Sequence, residues 1–248
     1  MTPEMSKAVS PLPAPLPPRS ARSAPAPLAR HPFRRVARSY RMTNLLPALP
    51  PHAFAKEDGG DDLLFYAPPR LVTHIDEPAV AALTAHYRNL LPAGGIVLDL
   101  MSSWVSHLPD DVGYGEVVGH GMNAHELAAN PRLTRWFVQD LNNAPTLPLA
   151  DTSLDAALCC VGVQYLQHPM EVFTDVRRTL RAGAPFAVSF SNRCFPTKAV
   201  AVWRALDTAG HTGLVRLYLE RAGFQTIETQ VLADGTRGDP LVAVTGRA

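Results

Sequence analysis

Gly95-Ile-Val-Leu-Asp-Leu-Met-Ser-Ser103 is the stretch of sequence that decides the fold. Its apolar part, residues 96–100, is short and contains β-branched side chains, which is typical of a strand buried on both faces. Directly after it the chain becomes polar, at Ser102 and Ser103. In an open parallel sheet, ligands bind beyond the carboxyl ends of the strands. The stretch therefore predicts a buried parallel strand whose exit faces a ligand.

The residues on either side alternate between helix and strand patterns. Asp76-Glu77-Pro78 predicts a helix start, because a capping side chain is followed by an acid and an early proline. Further patterns predict strands at 116–119, 136–139, 154–161 and 185–190, helices at 197–209 and 211–222 interrupted by Gly210, and a closing hairpin of 225–231 with 241–244. This alternation predicts an α/β fold with a mainly parallel sheet, helices on both faces and a C-terminal antiparallel edge hairpin.

The first 55 residues differ in composition from the rest of the chain. They hold 12 of the 24 prolines, and eight basic residues against one acid give a net charge of +7. Such a segment buries too little apolar area to offset its ordering entropy, so we expect residues 1–55 to be disordered and residues 60–248 to form one domain. The segment is either an organellar transit peptide or a dispensable extension, with Met42 as the true start. We accordingly expect a cytoplasmic protein, or a plastid or mitochondrial one if the segment is a transit peptide.

Charge and cysteine content argue against several classes of partner. Beyond residue 55 the chain carries 15 basic and 21 acidic residues, a net charge of −6, so no nucleic acid is expected to bind. No apolar run approaches the roughly 20 residues of a membrane helix, so no membrane association is expected. The three cysteines, Cys159, Cys160 and Cys194, lack a metal-ligand spacing. We expect a soluble protein with a small-molecule partner and no bound metal.

Five predicted strand ends have a small or polar exit. These exits are Asp99–Ser103, Gly119–Asn123, Gln139–Asn143, Cys160–Tyr165 and Ser189–Arg193. Because the carboxyl ends of parallel strands meet at one edge of the sheet, we expect the five exits to form one ligand-binding crest.

Five sequence blocks between residues 95 and 190 occur in the order of a known family. They are Val97-Leu-Asp-Leu100, Val117-Val-Gly119, Val138-Gln-Asp140, Leu147-Pro148 with Asp151 and Leu154-Asp155, and Arg178-Thr-Leu-Arg-Ala-Gly183. In these blocks the chain resembles the class I S-adenosylmethionine-dependent methyltransferases and is most similar to the group called type 11. The resemblance implies a Rossmann-like methyltransferase fold with S-adenosylmethionine as the cofactor.

The resemblance also implies roles for two acids. Asp99 stands where the family's acid helps hold the amino acid end of the cofactor, and Asp140 where an acid accepts a hydrogen bond from the adenine amino group beside the Leu141 backbone N–H. Two positions depart from the family. The turn Met101-Ser102-Ser103 lacks glycine, which would allow the backbone to approach the cofactor closely. Gly121 stands where the family has an acid for the ribose hydroxyls.

Asn123 has two interpretations. Its side chain either reaches a ribose hydroxyl or caps the next helix, where Glu126 has the spacing of a capping box. With both interpretations kept, the predicted cofactor contacts are Asp99, Met101, Ser102, Ser103, Gly121, Met122, Asn123, Asp140, Leu141 and Cys160.

Two segments outside the strand blocks carry chemistry suited to a substrate. Phe65-Tyr66-Ala-Pro-Pro-Arg70 combines aromatic rings, prolines and an arginine, which suits a lid with a carboxylate clamp, and Ser191–Phe195 follows the fifth strand; ordinary packing and turn chemistry is the alternative for both. The predicted substrate contacts are Tyr66, Arg70, His74, Tyr165, Asn192 and Arg193.

No catalytic residue is predicted, because methyl transfer depends chiefly on in-line positioning. A general base is needed only where the methyl acceptor carries a proton at the working pH. The candidates for that role are His74, His125, Tyr165 and His168, and for each histidine the alternative is a surface or capping residue.

The sequence leads to one favoured function and two alternatives. The favoured one is S-adenosylmethionine-dependent methyl transfer to an unidentified small molecule. A catalytically degenerate protein that keeps the fold for binding or scaffolding is the first alternative, motivated by the glycine-free turn and by Gly121. A nicotinamide-dependent oxidoreductase is the second, but it would need G-x-G-x-x-G after the first strand and an acid after the second, and the sequence has neither.

Overall fold

The computed structural model describes residues 26–27, 49–50 and 52–248. The helices are α1 (Asp62–Tyr66), α2 (Glu77–Leu90), α3 (Ala124–Ala129), α4 (Pro169–Thr179), α5 (Ala201–Ala205) and α6 (Thr208–Arg221). The strands are β1 (Ala26–Pro27), β2 (Ile96–Leu100), β3 (Glu116–Gly121), β4 (Arg135–Val138), β5 (Ala156–Cys160), β6 (Pro185–Ser191), β7 (Gln225–Ala233) and β8 (Leu241–Arg247). Apart from 26–27, 49–50 and 52–55, the segment that we expect to be disordered lies outside the described residues.

All eight strands belong to one sheet in the order β1-β4-β3-β2-β5-β6-β8-β7. The strands from β1 to β6 pair in parallel, with Asp99 of β2 opposite Gly119 on one side and Leu158 on the other. After β2 the chain builds the sheet outward through β3 and β4, and then returns to add β5 on the opposite side of β2. The strand order therefore switches at β2 and β5, which is where an open sheet of this kind binds its ligand.

The C-terminal hairpin is confirmed, with its second strand on the inside. β8 lies between β6 and β7 and runs antiparallel to both. All but the last residue of β8 are buried, whereas most of β7 is exposed at the edge of the sheet. The fold is thus the predicted Rossmann-like α/β arrangement with a mainly parallel sheet.

Helices cover the sheet through two apolar clusters, one on each face. Leu98 and Leu100 belong to the cluster that contains the buried faces of α4 and α6. Val97, one residue out of phase, belongs to the second cluster with Leu83 and Tyr87 of α2. This alternation is what a strand buried on both faces requires, because successive side chains point to opposite sides.

Side-chain caps set where two of the helices begin. The Asp76 side chain accepts a hydrogen bond from the Ala79 N–H at 3.0 Å, as the sequence predicts for the start of α2. The predicted break at Gly210 is wrong, because Gly210 lies inside α6. The helices separate earlier, where Asp207 caps α6 by accepting from the Gly210 N–H at 2.8 Å, and the glycine makes room for Leu206. Within the described part of the chain, no helix is long and apolar enough to cross a membrane.

Candidate functional site

A cavity of about 510 Å³ opens beyond the carboxyl ends of the strands around the switch in strand order. The predicted cofactor contacts on its wall are Met101, Ser102, Ser103, Gly121, Met122, Asn123, Asp140, Leu141 and Cys160. The predicted substrate contacts on its wall are Tyr66, Arg70, His74, Tyr165 and Arg193. Asp99 and Asn192 are the two predicted contacts that do not line it. The strand exits therefore converge on one crest, as their sequence pattern indicates.

Asp99 lies beneath the cavity wall. It is 3% exposed, and its Oδ2 accepts a hydrogen bond from the Ser102 hydroxyl at 2.6 Å. Burial raises the pKa of Asp99 to about 7, although hydrogen bonds from the Ser102 and Ser106 hydroxyls act in the opposite direction. The structure thus places Ser102 between Asp99 and the cavity, in contrast to the direct contact that the resemblance implies. Asn192 is exposed, and its Oδ1 accepts from the Ser191 hydroxyl at 3.2 Å.

Glycines on the neighbouring strand exits explain both departures from the family pattern. A Cβ at Gly121 would lie 2.5 Å from the carbonyl oxygen of Ser102, closer than real Cβ atoms come. A Cβ at Gly162, just after β5, would lie 2.9 Å from the Met101 Cβ. The turn after β2 has no glycine of its own but lies between these two. An acid at position 121 would displace this turn.

Asn123 acts as a helix cap and as a clamp on a distant segment. Its Oδ1 accepts from the backbone N–H groups of His125 at 2.9 Å and Glu126 at 3.1 Å. Its Nδ2 donates to the carbonyl oxygens of Tyr66 and Ala67, both at 2.9 Å. These bonds support the capping interpretation and occupy both ends of the amide.

Glu126 is a site residue that the sequence interpretation treated only as part of a capping box. Its carboxylate does not reach back to the Asn123 backbone; one oxygen accepts from the Arg70 N–H and the other from the Ser103 hydroxyl, both at 2.7 Å. Glu126 lines the cavity in the first turn after β3. A sequence signal for Glu126 does exist. The strand exit at Gly121 lacks the acid that the family has there, and Glu126 is an acid that follows shortly after it.

The exits of β4 and β5 contribute an acid and a thiol. Asp140 Oδ1 accepts from the Asn142 N–H at 2.9 Å, and the neighbouring Leu141 is buried. Burial raises the pKa of the Cys160 thiol to about 12, so this thiol stays protonated at neutral pH. Nowhere among the described residues do three or more His, Cys, Asp or Glu side chains form a group that could hold a metal ion.

Residues 52–76, called here the cover segment, contribute Asp62 and other residues to the cavity wall. Ion pairs around the buried Lys198 hold the segment in place. Lys198 has no exposed surface, and its Nζ lies 3.0 Å from Asp62 Oδ1 and 3.1 Å from Asp58 Oδ2. Asp62 also pairs with Lys56. Residues 52–59, which precede the predicted domain start, are thus part of the cover segment.

Arg70 of the cover segment presents a guanidinium group to the cavity without a charged partner. The group donates to the carbonyl oxygen of Phe65 at 2.9 Å and lies 4.7 Å from the centre of the Phe65 ring and 5.4 Å from that of Phe195. In the part of the chain that the structure describes, no carboxylate lies within ion-pair distance of it. An arginine of this kind retains donors for an anionic ligand.

Two of the four candidate bases line the cavity. The His74 ring lies edge-on to Phe195, with centroids 5.8 Å apart, and burial lowers the pKa of His74, so the ring is neutral at pH 7. The Tyr165 hydroxyl accepts from the Phe195 N–H at 2.9 Å, and burial raises the pKa of Tyr165 to about 12. His125 and His168 are not part of the cavity wall.

Comparison with known proteins gives a domain model that matches part of the chain, and a shared fold. Residues 105–188 match the family model described as a methyltransferase domain. The biotin biosynthesis bifunctional protein BioHC of Teredinibacter turnerae is 28% identical over 107 residues, which cover 39% of this chain and 18% of that protein. The chain therefore spans less than two thirds of the length of this curated relative.

Solved structures share the architecture at low sequence identity. A chain of the Haloferax volcanii complex that contains the Trm112 methyltransferase activator aligns with a TM-score of 0.53 and 17% identity, covering 69% of this chain and 90% of that one. The [4+2]-cyclase SpnF aligns with a TM-score of 0.50 and 14% identity, covering 66% of this chain and 80% of that one. Likenesses at this identity concern the fold alone.

The strand order, the crest of strand exits and the matched residues agree with one another. The chain has the Rossmann-like methyltransferase fold. Its residues 105–188 match the type 11 methyltransferase domain, as the resemblance in the sequence implies.

Proposed function

We propose that the chain binds S-adenosylmethionine at the strand exits and transfers its methyl group to a small molecule. The observation that carries the proposal is the cavity itself, which lies at the switch in strand order and is lined by the exits of β2, β3, β4 and β5. Its volume of about 510 Å³ falls within the roughly 300–1,000 Å³ of small-molecule sites.

The residues present fit the polar groups of that cofactor. Asp140 offers a carboxylate for the adenine amino group, at the exit of β4. Glu126 offers a carboxylate for the ribose hydroxyls beside Gly121, where a side chain does not fit. Each of its oxygens accepts one hydrogen bond from the described residues, so lone pairs remain for a ligand. The Ser102 and Ser103 hydroxyls donate their protons to Asp99 and Glu126, and their oxygens can still accept hydrogen bonds from the ammonium group of the amino acid end.

The chain's own part in the reaction is to orient, to exclude water and to hold a proton. When bound, the cofactor supplies a methyl group that its sulfonium has already activated. The cover segment closes one side of the cavity and so shields the reacting atoms from water. The His74 imidazole is neutral at pH 7, so it can take a proton from a methyl-accepting group that carries one.

We further propose that the methyl acceptor is a flat molecule with an anionic group. Arg70 provides the positive charge and unused donors, and the Tyr66 and Phe195 rings, which also line the cavity, provide aromatic surface beside it. Arg193 is less available for this role, because its Nε donates to Asp239 at 2.7 Å.

Calorimetric titration of the full chain with S-adenosylhomocysteine tests the cofactor proposal. We expect binding, and we expect Glu126→Gln and Asp140→Asn each to weaken it about tenfold, the equivalent of about 1.4 kcal/mol for a lost charge-assisted hydrogen bond. Glu220→Gln, at an exposed position of α6, is the matched control and should bind as the natural chain does. Absence of binding at about 1 mM, where even a weak complex of about −4 kcal/mol would be detected, would overturn the proposal.

A catalytically degenerate protein that binds the cofactor without methyl transfer is the second candidate. The glycine-free turn and Gly121 favour it. Incubation with methyl-labelled cofactor and a panel of aromatic carboxylic acids separates the two candidates. Transfer of label that is lost in Arg70→Gln supports the methyltransferase, whereas tight cofactor binding without transfer to any acceptor favours the degenerate protein.

A further inference from the structure

The turn that follows β2 holds a non-glycine residue in the left-handed region of backbone space. Met101 has a φ of 58°, which residues with a Cβ rarely adopt, and Val161 at the exit of neighbouring β5 has a φ of 44°. Both residues line the cavity. Such conformations persist only where the surroundings hold them in place. The two exits at the switch in strand order therefore need support from other residues.

His120 of β3 provides this support to the turn after β2. Its Nδ1 accepts a hydrogen bond from the Met101 N–H at 3.0 Å, and its backbone carbonyl accepts from the Ser102 N–H at 2.6 Å. On the other side of the ring, Nε2–H donates to the carbonyl oxygen of Gln139 at 2.9 Å. Because a backbone N–H only donates and a carbonyl only accepts, these partners assign the neutral ring with its proton on Nε2.

The surroundings of His120 maintain this protonation state. The residue is 1% exposed, its ring centroid lies 5.2 Å from that of Phe137, and burial lowers the pKa of His120 to about 4. Gln139, the acceptor of the Nε2–H bond, directly precedes Asp140. The imidazole thus connects the turn after β2 with the exit of β4.

We propose that His120 is a positioning residue for cofactor binding. It holds Met101 in the left-handed conformation that glycine would adopt freely, and it fixes the separation between the serines of the turn and Asp140. The ligand in this inference rests on the proposed function. The support of Met101 by His120 is a property of the free protein.

A glycine exchange tests the proposal. His120→Phe keeps an aromatic ring but removes both side-chain hydrogen bonds, and we expect it to weaken S-adenosylhomocysteine binding about tenfold. Met101→Gly removes a side chain from the cavity wall but allows a positive φ freely, so its own affinity is the reference for the double variant. In that background the turn no longer needs the tether, so adding His120→Phe to Met101→Gly should weaken binding by less than about threefold. His120→Asn, whose Oδ1 replaces Nδ1 as an acceptor, should lose less than His120→Phe.

The control is Glu220→Gln, at an exposed position of α6 away from the cavity, which should bind as the natural chain does. If the penalties of His120→Phe and Met101→Gly simply add, His120 does not act through Met101, and the proposal is overturned. The natural chain, His120→Phe, Met101→Gly and the double variant are also compared by urea unfolding without ligand. A rescue of stability by Met101→Gly is again expected. Rescue of stability with no binding in any variant, the natural chain included, would contradict the proposed function but confirm the support of Met101 by His120.

Discussion

The floor of the cavity and the cover segment are held in place by different interactions. The floor consists of the strand exits 99–103, 119–123, 139–143 and 160–165, where backbone groups approach closely because Gly121 and Gly162 lack side chains. The cover segment is held by side chains, chiefly the pairs of the buried Lys198 with the buried Asp62 and the partly exposed Asp58. We therefore expect the floor to be sensitive to side-chain atoms added at the two glycines. The position of the cover segment should instead depend on the charge of Lys198.

Gly121→Asp is expected to have the largest effect, although it restores the acid that the family has at this position. The new Cβ would lie 2.5 Å from the Ser102 carbonyl oxygen, and position 121 is buried. Overpacking and a buried charge together should lower the free energy of unfolding by about 3 kcal/mol or more. Urea unfolding measures this change, and calorimetry should show loss of S-adenosylhomocysteine binding.

Gly213→Asp is the matched control for this substitution. Gly213 lies on α6 with open space around its Cβ position, so the free energy of unfolding should change by only about 0.5 kcal/mol. If Gly121→Asp instead folds normally and binds the cofactor product more tightly, the close contact between β3 and the turn after β2 is not what keeps the acid out.

Lys198→Met tests the cover segment. The substitution keeps the apolar stem but leaves Asp58 without its buried partner and Asp62 with Lys56 alone. Removing one partner of a buried pair costs about 3–5 kcal/mol, but Asp62 keeps Lys56 and the Asp58 side chain is 43% exposed, so the loss here should be smaller, about 2 kcal/mol. We expect a loss of this order in urea unfolding, together with faster amide hydrogen exchange in residues 52–76 than in the strands.

Arg88→Met provides the surface counterpart. Arg88 pairs with Asp111, and both side chains are exposed, so the pair contributes little to stability and its loss should be much smaller than that in Lys198→Met. Equal losses in the two variants would contradict the idea that burial makes the Lys198 pairs important, as would unchanged exchange in the cover segment of Lys198→Met.

The same contrast explains which parts were predictable from the sequence. The strands and their exits were found because short apolar runs ending in polar residues report local structure, and most predicted cofactor contacts do line the cavity. The network around Lys198 joins residues 136 and 140 positions apart in the sequence, so no local pattern indicates it. The break before α6 was misplaced at Gly210, because the Asp207 cap competes successfully with the low helix propensity of glycine.

The effect of Asp99→Asn on the unfolding free energy changes gradually with pH. Burial raises the pKa of Asp99 from its ordinary 3.8 to about 7, so the folded state favours the protonated acid. The stability that this provides is fully present below pH 3.8 and is lost as the pH rises through about 7. Asparagine resembles the protonated form at every pH. Relative to Asp99→Asn, the natural chain should therefore lose at most about 1.4 kcal/mol of unfolding free energy per pH unit over this interval.

Asp155, at the other end of the sheet, should change the stability with pH in the opposite direction. Its Oδ2 accepts from the Ile96 N–H at 2.8 Å, and this bond, with the Arg181 pair, lowers the pKa of Asp155. Its contribution is present above the ordinary value and is lost as the pH falls through the lowered pKa. The unfolding free energy of each variant is subtracted from that of the natural chain at every pH. The contributions of groups common to both chains, such as His120, then cancel. If Asp99→Asn and Asp155→Asn show slopes of the same sign, Asp99 is charged in the folded protein, and its carboxylate rather than Ser102 would then face the cofactor.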